Sequence, residues 1–94
     1  MEYLKVLIEA SSDKTTIMTD IECIRKAIIA EYDAVNMYEN FAKNCKNQIV
    51  KKIFQDIANE EKIHIGEFEE LANSLDPIFL KSKLDGEKEV KDIK

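Results

Sequence analysis

Apolar positions through the middle of the chain recur at alternating intervals of three and four residues. In the first stretch they are Ile21, Ile24, Ile28, Val35, Tyr38, Ala42 and Cys45; in the second, Val50, Phe54, Ile57, Phe68, Leu71 and Leu75. That spacing holds each set on one stripe of an α-helix and predicts two long amphipathic helices. Their limits follow from local chemistry. Thr19 with Glu22 is a capping box that opens the first helix. Asn44, Lys46 and Asn47 interrupt the pattern as a turn, and Asn47 suits the N-cap of the second helix. Asp76-Pro77 ends that helix, because the residue before proline is pushed out of helical geometry. The reading is helix over 19–46 and over 47–76, each about 40 Å long, folded by the short turn into an antiparallel pair. Asp76 as cap and Pro77 at the first position predict a short third helix to about Leu84, with Gly86 leading into a charged tail, Glu87 to Lys94, that reads as a solvated or fraying helix. Residues 1–18 form a lead segment. Its apolar run, Leu4–Ile8 between Glu2 and Glu9, is too short for a signal peptide or a membrane span; it is expected to pack on the bundle or on a neighbouring subunit. The whole of 1–94 reads as one half-domain.

Each stripe has a polar interruption. Between Ile28 and Val35 the slot belongs to Glu31, and between Ile57 and Phe68 the slots belong to Glu61 and His64. All three are expected to face the core. A buried carboxylate without a partner costs several kcal/mol or changes its protonation state, so these side chains need one another or a cation. Closing the turn near residues 46–47 brings Glu31 level with Glu61 and His64, and the latter two, three apart, share a helix face. Two carboxylates and an imidazole suit a first-row metal such as iron, manganese or zinc. A register-fixing hydrogen bond between His64 and Glu31 is the alternative reading of the same residues. One hairpin holds half of a two-metal site. A two-fold dimer supplies a Glu from each of two helices and Glu-x-x-His from each of the others, the ligand set of ferritin-like four-helix bundles. Four carboxylates also balance two divalent cations. The predicted fold class is therefore all-α, a two-helix hairpin dimerising into a four-helix bundle.

Composition narrows the field. The chain has 94 residues, two Gly and one Pro, which suits long helices and not a turn-rich β fold. A chain this small buries a modest fraction of its surface, which again favours a homo-oligomer. The net charge of -5 disfavours nucleic acid and anionic membrane as partners. Cys23 and Cys45 are isolated, giving no zinc ribbon, iron–sulfur module or disulfide framework; they read as reduced thiols of a cytoplasmic protein. Tyr32 and Met37 read as packing residues. Glu67, Glu69 and Glu70 read as a solvated face, with cation funnelling as their minority role.

The stretches Ala30–Glu39 and Asn59–Leu71 resemble the rubrerythrin-like half-ferritins, a group that includes the encapsulated ferritins carried inside encapsulin shells. The resemblance covers about residues 20–77. It implies a ferroxidase centre shared across a dimer, with two irons at the interface. By that match Glu31 and His64 are terminal ligands, Glu61 bridges the metals and Tyr38 stands beside the centre. Asp33 matches one of the further acidic residues of the family's metal-uptake site, whereas position 30 is Ala. The charged Lys88–Lys94 tail differs from the short apolar Leu/Gly/Ser peptide that docks such cargo in an encapsulin shell. The function so implied is oxidation of Fe(II) by O2 or peroxide in iron handling or storage. A rubrerythrin-type peroxidase is a related activity within that resemblance, but its electron-delivering four-cysteine domain has no counterpart in Cys23 and Cys45. The competing class is a non-enzymatic metal-binding protein (zinc, manganese or iron) or a helical adaptor dimer.

Overall fold

The computed structural model describes residues 19–93, so the expectations for Leu4–Ile8 lie outside the described residues. Three helices follow in order: α1 (Asp20–Asn44), α2 (Gln48–Leu75) and α3 (Pro77–Ile93). Among the described residues there is no strand, and the fold is all-α.

The ends of the helices are set by the residues that the sequence marks. The Thr19 hydroxyl accepts from the Glu22 amide at 3.2 Å, and the Glu22 carboxylate accepts from the Thr19 amide at 3.3 Å, closing the capping box. At the turn, the Cys45 amide donates to the Phe41 carbonyl at 2.9 Å. The Asn47 side-chain oxygen accepts from the amides of Ile49 and Val50 at 2.9 and 3.1 Å. Asp76 serves both neighbours. Its amide ends α2 on the Ala72 carbonyl, and its carboxylate caps α3 by accepting from the Phe79 amide at 3.1 Å. The same carboxylate meets Arg25 of α1 at 3.3 Å, tying all three helices at one corner.

α1 and α2 pack through small side chains. The buried set is Cys23, Ile24, Ala27, Val35 and Ala42 on α1 and Ala58, Ile65 and Ala72 on α2. Alanines at facing positions let two helix axes approach closely, since axis separation follows the side chains at the contact. The second predicted stripe lies beside this contact, as the open seam of a lone hairpin. Val50, Leu71 and Leu75 are 40%, 48% and 50% exposed, and the hairpin contact falls on the Ala58–Ile65–Ala72 line beside them. Several larger side chains, Phe41, Leu71 and Leu75 among them, are left 40–50% exposed. A slab of 47 × 44 × 16 Å is one helix layer deep, so it has two open faces and no closed interior.

The third helix departs from expectation. It continues to Ile93, past Leu84 and through Gly86. Charge spacing explains this: Lys81–Asp85, Glu87–Lys91 and Lys88–Asp92 each pair at i,i+4, at 3.0, 2.7 and 3.0 Å. Such pairs add a few tenths of a kcal/mol each (roughly 0.2–0.5), against about 1 kcal/mol for one interior glycine.

Candidate metal centre

Glu31 reaches the site from the middle of α1, and Glu61 and His64 from successive turns of α2. The antiparallel pairing puts them at one height. One ligand atom from each lies within 4.8 Å of the others. His64 Nδ1 is 3.6 Å from Glu31 Oε1 and 3.7 Å from Glu61 Oε2. These distances are too long for hydrogen bonds, so the register-fixing bond between His64 and Glu31 is absent from this geometry. They match the roughly 3–4 Å that separates two donors sharing one ion at about 2.1 Å.

A second observation concerns one atom. Glu31 Oε2 is buried and has no hydrogen-bond partner. An unsatisfied buried acceptor costs about 1–3 kcal/mol, more when charged. A cation held among Glu31, Glu61 and His64 would satisfy it. The donor set, hard carboxylates with one imidazole, fits iron, manganese or zinc.

The trio opens to the side and is not enclosed within its own chain. The carboxylates of Glu31 and Glu61 are 20% exposed and the His64 ring 48%. In a single layer the stripe that carries them is an open face, the one that the dimer expected from the sequence would cover. Beside them lies a depression of about 490 Å³ lined by Glu31, His64, Glu67, Phe68 and Leu71. Glu67 is the residue that sequence reasoning underweighted, since its i+3 spacing from His64 is a legible sign that it could share this surface. Glu69, grouped with it as a solvated face, instead meets Lys83 of α3 at 3.7 Å.

Tyr38 stands two turns along α1 from Glu31, in an aromatic cluster rather than within the trio. Its ring stacks on Phe54 at 5.9 Å between centroids and meets Phe41 edge-on at 6.4 Å, and Phe41 lies 5.2 Å from Phe54. Nearby, the Lys62 ammonium and the Gln55 amide donate to Glu39 and hold its carboxyl below the ordinary value of 4.5. That ion pair, at 2.7 Å, joins α1 to α2 from the solvent side.

A helical hairpin with a Glu on one helix and Glu-x-x-His on the next has the architecture of a ferritin-like half-bundle. Comparison with known proteins agrees. The chain matches the rubrerythrin family over residues 22–92 and belongs to it. The crystal structure of an encapsulated ferritin domain from Pyrococcus furiosus superposes with a TM-score of 0.79, at 40% identity and over 88% of each chain. A ferritin-like–encapsulin shell fusion protein of the same organism is 45% identical over 73 residues, 78% of this chain and 21% of that protein. The encapsulin nanocompartment cargo protein EncC of Myxococcus xanthus is 41% identical over 63 residues, 64% of this chain and 48% of its own. The chain thus spans less than half the length of these two relatives. Among the described residues no helix is long and apolar enough to cross a membrane.

Proposed function

We propose that two copies of this chain close their open faces on each other and oxidise Fe(II) at the joined Glu31, Glu61 and His64 clusters. The observation that carries the reading is the trio itself: three donors within 4.8 Å, one carboxylate oxygen buried and unpartnered, on a face flanked by uncovered apolar side chains. Membership of the rubrerythrin family and the likeness to an encapsulated ferritin domain favour iron as the metal.

The chain's own groups have definite tasks. Two trios facing across a two-fold axis present four carboxylates and two imidazoles, enough to bind two Fe(II) with charge balanced. Oxidation removes one electron from each Fe(II), and O2 takes both, together with two protons, to leave as hydrogen peroxide; peroxide as oxidant would leave as water. Oxygen donors favour the Fe(III) product and the imidazole helps retain Fe(II). By family resemblance Glu61 is the carboxylate shared between the metals. The names of the relatives extend the proposal to an encapsulin shell as partner, with the oxidised iron held inside it.

Stopped-flow absorbance on anaerobic Fe(II) mixed with oxygenated buffer tests the reading. Expected are two irons oxidised per dimer, faster than protein-free iron, and a Glu61→Ala variant slower by orders of magnitude. A wild-type rate no faster than free iron would leave a metal-holding or adaptor dimer as the better account.

A further inference from the structure

The hairpin's other face carries a second groove, of about 390 Å³, between the first turns of α1, the end of α2 and the start of α3. Its walls are mostly apolar, Ile21, Ile28 and Ile29 from α1, Ala72 from α2 and Phe79 from α3, with Glu69 of α2 beside them. The Arg25–Asp76 ion pair stands on its rim. Ile29 lies about 160° round α1 from Glu31, at 3.6 residues per turn. A second copy seated over the metal face therefore leaves this groove open. Ile29 is 62% exposed and Phe79 37%, an uncovered apolar surface that calls for an occupant.

We infer that the groove seats the apolar run Leu4–Ile8 of its own chain. Three observations single out this occupant. The chain preceding the described residues joins at Thr19, the cap of α1, and the groove begins two residues later at Ile21. The ten residues between Ile8 and Thr19 reach up to about 33 Å, whereas α1 rises only about 15 Å from Thr19 to Ile29, so the run spans the groove's length. Leu4, Val6, Leu7 and Ile8 offer side chains of the same character as the walls, and a short tether presents them at roughly millimolar effective concentration. Seated there, the run would touch both α1 and Phe79 and hold α3 at its angle to the hairpin. The inference stands apart from the metal chemistry.

The chain contains no tryptophan, so Leu7→Trp in the full-length protein makes a single reporter. Expected are blue-shifted emission and acrylamide quenching several-fold weaker than for a free indole, both unchanged on dilution. Adding Ile29→Glu or Phe79→Ser, on opposite walls, should return emission and quenching to exposed values. Ile49→Glu, at the far end of the hairpin and 74% exposed, should leave them alone. Circular dichroism identifies which groove variant keeps its helices, and either one decides. A solvent-exposed indole in the Leu7→Trp variant, protection that survives the groove substitutions, or protection lost on dilution (a run supplied by another chain) overturns the inference.

Discussion

Glu31 is the residue on which the metal reading turns, because its Oε2 atom is buried without a partner. A divalent ion that binds the native protein alone should raise stability by about 2.7 kcal/mol at a hundredfold excess over Kd. Glu31→Ala and His64→Ala should each abolish most of that gain in thermal melts with and without Fe(II) or Zn(II). If both variants kept the full response, the ligands would lie elsewhere. Glu39 makes a different prediction. Its folded carboxyl titrates below the ordinary 4.5 because Lys62 and Gln55 donate to it. The stability it contributes is thus fully present above pH 4.5 and is lost as pH falls through the lower folded value. Glu39→Gln should flatten that acid limb of denaturation midpoint against pH while changing little near neutrality, where an ion pair 40–50% exposed is worth little. An unchanged acid limb would remove the Lys62 contact as its cause.

At the scale of the helices, Asp76 and Gly86 give opposite expectations. Asp76→Ala removes the cap of α3 and the Arg25 contact, and should cost about 1 kcal/mol. Gly86→Ala should stabilise α3 by up to about 1 kcal/mol, since a Cβ there meets nothing within 4 Å. Urea titrations of the two variants would show midpoints moving in opposite directions. These helices also show what the sequence made legible. Caps and stops could be read because Thr19, Asn47 and Asp76-Pro77 act through bonds to neighbours a few residues away. The meeting of Glu31, Glu61 and His64 could be read because polar residues in an apolar stripe are conspicuous. The face that α1 and α2 bury against each other could be read only in part: Ile24, Val35 and Ala42 lie in the predicted stripe of α1, whereas the buried residues of α2 lie beside its own. The missed part rests on Ala27, Ala58 and Ala72, and alanine carries a weak hydrophobic signal next to the leucines and phenylalanines that define the visible period. The run of α3 beyond Leu84 was hidden for the opposite reason, since charged residues look like solvent-exposed tail until their i,i+4 pairing is counted.

For the molecule as a whole, one layer of helices leaves Val50, Leu71 and Leu75 of α2 40%, 48% and 50% exposed, on the side of α2 that carries His64. Covering each of these half-exposed chains is worth about 1 kcal/mol or more at roughly 25 cal/mol per Å². Sedimentation equilibrium at micromolar concentration should therefore find dimers or multiples of them. Helix content should fall together with association on dilution. A stably folded monomer at that concentration would defeat the paired-face proposal, and with it any site built from two chains.

The turn of Cys45, Lys46 and Asn47 also sets an order in time. Because only three residues separate the helices, the contacts that gather Glu31, Glu61 and His64 are local ones, and helical folds with local contacts form in microseconds to milliseconds. Association of two chains is slower and depends on how many are present. Under the paired-face proposal a newly made chain thus gathers its three donors only transiently, and the arrival of a second copy, set by protein concentration, is the step that holds them.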